Sequence, residues 1–77
     1  MVPSGIPEHR KRLGGQIRER RVALGLSQEQ LAERIDCHRN YVGNVERGDQ
    51  NVTIDMLARF GRALDCTLAD LMRLARL

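Results

Sequence analysis

Aromatic residues are nearly missing from this chain: its 77 residues include no tryptophan, one tyrosine and one phenylalanine. The core must therefore be aliphatic, which suits a small bundle of short helices. Also lacking is any apolar run near the roughly 20 residues of a membrane span, or an apolar stretch behind the start of the kind a secretion signal needs. The chain is expected to stay in the cytoplasm, with no membrane partner. Metal-ligand spacings are missing too. Cys37 and His38 are adjacent, Cys66 is far away, and there is no C-x-x-C or H-x-x-x-H unit. Both cysteines read as core thiols, and no metal or cofactor is expected. No Ser-His-Asp set, carboxylate pair or phosphate loop is present, and the one glycine pair, Gly14-Gly15, lies inside a helical pattern. A chain this short buries only about 60% of the surface its unfolded form exposes, so neither a deep-pocketed enzyme nor a small-molecule ligand is expected.

What is present is charge, unevenly placed. The net charge is +3 and the pI about 9.5. Basic residues outnumber acidic ones over residues 1–27, acidic ones prevail over 28–49, and the remainder is close to balanced. A basic start suits a nucleic-acid partner, with the backbone attraction expected from that start and from a few placed donors. Glu29, Glu33 and Asp36 are expected on the outer side of their helix, where they do not face phosphate.

The stretch Ser27 to Gly48 organises the rest. Counting from Gln28, apolar side chains fall at the fourth, eighth, tenth, fifteenth and eighteenth places: Leu31, Ile35, Cys37, Val42 and Val45. No single helix has that spacing. It predicts a short helix ending near Ile35, a turn of about three residues, and a second helix over about Arg39 to Glu46 crossing it steeply. Small Ala32 stands where the two come closest. One side of the second helix then has no core to face, and it carries Arg39, Asn40, Gly43 and Asn44. In a helix-turn-helix that side enters the DNA major groove. Arginine can donate two parallel hydrogen bonds to guanine, and asparagine can pair in the same way with adenine.

These residues resemble the Cro/XRE-type helix-turn-helix regulators of bacteria and phages. The likeness runs from LGGQIRERRVALGLSQEQLA through HRNYVGNVERGDQNVTIDMLARFGRALDCTLADL, about Leu13 to Leu71. Within that family, HRNYVGNVERG followed by NVTID is most similar to the controller proteins of restriction-modification systems. The resemblance implies an all-α, compact five-helix bundle of the phage-repressor-like type, with the motif at 28–47. It implies base reading by Arg39, Asn40, Gly43 and Asn44, and backbone contacts from Ser27, Gln28, His38, Tyr41, Arg47, Gln50 and Asn51. It also implies a partly buried structural pair between Arg21 and Glu46. The turn departs from the family pattern, with Asp36 in place of the usual glycine and His38 in place of the usual Ser or Thr. Aspartate tolerates the left-handed conformation better than most residues, so the turn is still expected to form.

The remaining elements follow in order. Residues 1–7, with two prolines and a glycine, read as a flexible lead-in to a single domain over 8–77. His9 to Arg12 either reach a neighbouring phosphate or form a solvated helix end. A first helix over about Glu8 to Leu24 has an apolar stripe of Leu13, Ile17 and Leu24 with Ala23 beside it, and Gly25 ends it. Ser27 and Gln30 form a capping box. The Tyr41 hydroxyl is a candidate for a phosphate or thymine methyl, its alternative being packing against the first motif helix. Thr53 caps a fourth helix, about Ile54 to Leu64, whose stripe is Ile54, Leu57, Gly61 and Leu64. Thr67 with Asp70 makes a second capping box before a last helix. The surplus of apolar residues there, with Leu68, Met72, Leu74 and Leu77 as candidates, suggests a homodimer interface.

The expectation is a homodimeric regulator that binds double-stranded operator or promoter DNA and stays with the nucleoid. By resemblance to the controllers it would act upstream of its own gene and a restriction gene, activating at low occupancy and repressing at high. The antitoxin of a toxin-antitoxin pair, or a protein-interaction module with little DNA affinity, are the alternatives.

Overall fold

Helix ends govern this fold more than helix interiors. A computed structural model describes residues 5–77, and the first four residues of the expected lead-in lie outside it. The elements are α1 (Glu8–Ala23), α2 (Gln28–Arg34), α3 (Arg39–Arg47), α4 (Ile54–Ala63) and α5 (Leu68–Leu74), with no strand among the described residues. Four of the five are ten residues or shorter. Isolated helices below about 12–15 residues are marginal in water, so capping and packing must hold them.

Each of those four starts on a side-chain cap. Ser27 and Gln30 bond reciprocally, as do Thr67 and Asp70, and Thr53 Oγ1 accepts from the Met56 amide at 3.1 Å. His38 caps α3 through Nδ1, which accepts from the Asn40 amide at 3.1 Å. The Thr67 amide, donating to the Asp70 carboxylate, holds that carboxyl below its usual range. The opposite ends share one turn: Leu26, Cys37, Asp49, Cys66 and Leu77 donate their amides back to the carbonyls of Arg21, Ala32, Asn44, Gly61 and Met72. The residues just before them, Gly25, Asp36, Gly48, Asp65 and Arg76, all have positive φ. This is the Schellman arrangement, and the two Asp-Cys turns adopt it without glycine.

The core is aliphatic around one aromatic ring. Phe60 is its largest fully buried side chain, joined by Ile17, Leu31, Val42, Leu64 and Leu71. Two expected stripe members are absent from it. Leu24 is 41% exposed and Ile54 67%. In the last turn of α1 the inward positions belong to Arg20 and Arg21, which leaves Leu24 and Ala23 on the surface. In α4 the inward face is Leu57, Phe60, Gly61 and Leu64, and Ile54 stands apart at the first position.

Arginines of α1 close the far ends of other helices. Arg12 Nε donates to the Ala75 carbonyl at 2.9 Å; Arg20 donates to the carbonyls of Leu64 and Asp65 at 2.9 and 2.8 Å. A cation at a helix C-terminus satisfies orphan carbonyls and meets the negative end of the dipole. Much of the positive charge at the start of the chain is therefore turned toward the protein, contrary to its expected role of attracting phosphate.

The crossing of α1 and α3 needs bare backbone. A Cβ on Gly14 would lie 2.3 Å from the Val45 carbonyl oxygen and 2.6 Å from that of Glu46, whereas one on Gly15 would meet nothing within 4 Å. Gly61 is similarly confined, its Cβ position lying 2.7 Å from the Cys66 oxygen of the turn that follows its own helix. Gly14→Ala is expected to destabilise the fold by about 1–3 kcal/mol or more through forced separation of the helices. Gly15→Ala should stabilise it by up to about 1 kcal/mol. Urea unfolding followed by circular dichroism reads both.

Candidate nucleic-acid interface

On α3, Val42, Val45 and Glu46 turn inward and are buried. Arg39, Gly43 and Arg47, at i, i+4 and i+8, line the opposite side, with Asn40 and Asn44 beside them. Gln28, the first residue of α2, joins these five around one open cleft. Arg39 and Asn40 are exposed, and neither side chain makes a hydrogen bond among the described residues. Their donors are available to a ligand. The three side chains expected to project together, Arg39, Asn40 and Asn44, do share this cleft.

Gly43 lies on the expected face, at the floor of the cleft. It is buried, because Arg47 and Gln28 lie across it: a Cβ there would stand 3.3 Å from Arg47 Nη1 and 3.6 Å from Gln28 Oε1. Its lack of a side chain makes room for those two, and it offers little surface to a base. Asn44 Oδ1 accepts from Arg47 Nη2, and Arg47 Nε donates to Asp49 Oδ2 at 3.3 Å. Arg47 thus lies on the cleft face of α3, joined to Asn44.

The other expected contacts divide. Ser27 is engaged at its Oγ as a cap but is exposed. His38 accepts at Nδ1, which requires the proton of a neutral ring on Nε2, where it is free to donate. The Tyr41 ring stacks on Phe60 of α4, with centroids 6.4 Å apart and planes at 22°, so the ring belongs to the core edge and packs on α4. Gln50 and Asn51 border a second cleft, apolar and separate from the first, together with Val52, Ile54, Met72 and Leu77. Leu68 and Leu74 do not line it, although Leu74 is 48% exposed. Cys37 and Cys66 are half-buried free thiols, each pushed above the usual thiol range by burial.

Beneath the first cleft lies the Arg21–Glu46 pair. Arg21 Nε donates to Glu46 Oε2 at 2.6 Å and Nη2 to Oε1 at 3.1 Å, while Nη1 donates to the Leu26 carbonyl at 2.8 Å. The side chains are only 11% and 3% exposed. A third partner escaped the sequence reading: Gln28 Nε2 donates to Glu46 Oε1 at 3.1 Å. Gln28 therefore stands between the buried pair and the open cleft. Glutamine at the first position of a helix carries no signal of that second role, because its partner is 18 residues away.

Residues 17–71 match the helix-turn-helix family model. The control protein C.SmaI of Serratia marcescens is 42% identical over 60 residues, which is 78% of this chain and 71% of that protein. The restriction-modification controller protein C.AhdI of Aeromonas hydrophila superposes with a TM-score of 0.77 at 43% identity, covering 79% of this chain and 92% of that one. SinR, a master regulator for biofilm formation solved in complex with DNA, superposes with a TM-score of 0.73 at 30% identity, covering 78% and 97%. Among the described residues, no helix is long and apolar enough to cross a membrane.

Removing one partner of a buried ion pair leaves the other uncompensated. Glu46→Ala is expected to lower stability by about 3–5 kcal/mol, and the Arg21→Met/Glu46→Leu double variant to recover most of that loss. Urea midpoints of the three proteins check it.

Proposed function

The chain belongs to the helix-turn-helix family of DNA-binding regulators and is homologous to restriction-modification controller proteins; from that premise we propose that it acts as a homodimeric controller, binding double-stranded operator DNA and setting the expression of a restriction-modification system. The observation that carries this reading is the α3 cleft. Arg39 and Asn40 offer unengaged donors on the face of α3 that makes no core. In the docking geometry of the motif, the N-terminal residues of the second helix meet base edges, and both residues open α3. Gln28 at the start of α2, with Ser27 and the free Nε2–H of His38, suits the phosphates that flank the groove. DNA as ligand supports a place in the cytoplasm with the nucleoid, and a regulator of this kind is not an enzyme.

Dimerisation is supported by the second cleft. Ile54 and Leu77, 67% and 50% exposed, flank Val52 and Met72 there, and a small domain seldom leaves such a group to water. Two copies joined on this face would offer two motifs to half-sites about one helical turn apart.

Two measurements test the reading. Arg39→Ala should weaken binding to a duplex selected by the wild-type protein from a random library by about 1–3 kcal/mol, and binding to random duplex far less. Equal losses on both would exclude base readout by Arg39. Ile54→Lys with Leu77→Lys should shift the protein to monomer in sedimentation equilibrium while its helical circular dichroism persists.

A further inference from the structure

The geometry assigns Arg47 as a second base-reading residue, with Asn44 and Asp49 as the positioning residues that aim it; this rests on the α3 cleft being the DNA-binding face. Arg39 and Arg47 are eight residues apart on one face of a nine-residue helix, which separates their Cα atoms by about 12 Å. That is far enough to address different base pairs. Arg39 is unrestrained, whereas Arg47 is held at two points: Nη2 donates to Asn44 Oδ1 and Nε to Asp49 Oδ2. Its Nη1 lies over Gly43, the one residue of the face without a side chain to obstruct it. These two bonds orient the guanidinium plane, and both Nη1 hydrogens and one Nη2 hydrogen remain unengaged for the cleft.

Charge separates the two ligands open to Arg47. A phosphate is held chiefly by net positive charge, and Asp49 at 3.3 Å offsets that charge and would itself repel the DNA backbone. A guanine edge asks for orientation, because its O6 and N7 take two parallel donors from one plane. A carboxylate beside Arg47 impairs the first use and serves the second. Asn44 changes role on the same ground. Its amide oxygen accepts from Arg47, so its side chain serves to orient that guanidinium. The pair Arg47–Asp49 is exposed on both sides, 62% and 45%, so its worth to stability is small and its removal leaves the fold in place.

The test uses the full-length chain, the duplex it enriches from a randomised library, and a random duplex of equal length, titrated across a salt series. Arg47→Lys keeps the charge and loses the planar fork. It is expected to lower affinity for the enriched duplex by about tenfold, close to the loss for Arg47→Ala, while random-duplex affinity stays near wild type. Asp49→Ala should lower the ratio of enriched to random affinity several-fold and raise random binding, and it should add nothing further in an Arg47→Ala background. Wild-type selectivity retained by Arg47→Lys would show a phosphate contact and overturn the assignment. So would Asp49→Ala raising affinity for both duplexes equally. A wild-type protein that enriches no sequence would remove the DNA-binding reading and this assignment together, whereas selectivity lost in Arg39→Ala but kept in Arg47→Lys removes the assignment alone.

Discussion

The buried pair of Arg21 and Glu46 ties together three elements whose relative placement makes the interface. Arg21 comes from α1, Glu46 from α3, and the third and fourth hydrogen-bond partners, the Leu26 carbonyl and Gln28, from the loop and the start of α2. Two charges taken from water cost several kcal/mol each, and their attraction offsets this only with well-aligned geometry and few lone pairs left over. Here the carboxylate accepts three hydrogen bonds and the guanidinium reaches a carbonyl besides, so the geometry tolerates little displacement of α2 against α3. The angle between those helices is what turns Arg39 and Asn40 outward. Gln28 belongs both to this network and to the cleft above it, so a ligand that draws on its amide acts directly on the pair.

Around that centre, stability is distributed over many helix ends. The short helices are closed by the same left-handed turn and opened by side-chain caps, and α1 sends Arg12 and Arg20 to the carbonyl ends of α5 and α4. The longest helix is thus a spine whose cations complete its shorter neighbours. It explains how a chain with a net charge of +3 can place so much positive charge away from the α3 cleft.

Local chemistry was legible in the sequence. The capping boxes at Ser27 and Thr67, the left-handed Asp36 and the bounds of α2 and α3 follow from residue types within a few positions of each other, and the structure repeats them. The fold class and the sharing of a cleft by Arg39, Asn40 and Asn44 were legible for the same reason, since helical period fixes which residues share a face. What depended on distant partners was not. Leu24 satisfies the apolar spacing of α1, yet Arg20 and Arg21 take the inward places because carbonyls and a carboxylate wait for them. The packing of the Tyr41 ring on Phe60, 19 positions on, has no local signal. Gly43 lies at the floor of the cleft, because Arg47 of the next turn and Gln28 of α2 fold over it.

Arg39 and Asn40 hold up nothing. Their side chains take part in neither the core nor the buried pair, and Asn40 meets the His38 cap only through its backbone amide, so substitutions there leave folding intact while, on the proposed reading, changing what the helix recognises. On the proposed reading, a duplicated copy could drift toward a new operator largely through these two positions, and two such regulators could share a cell without crosstalk.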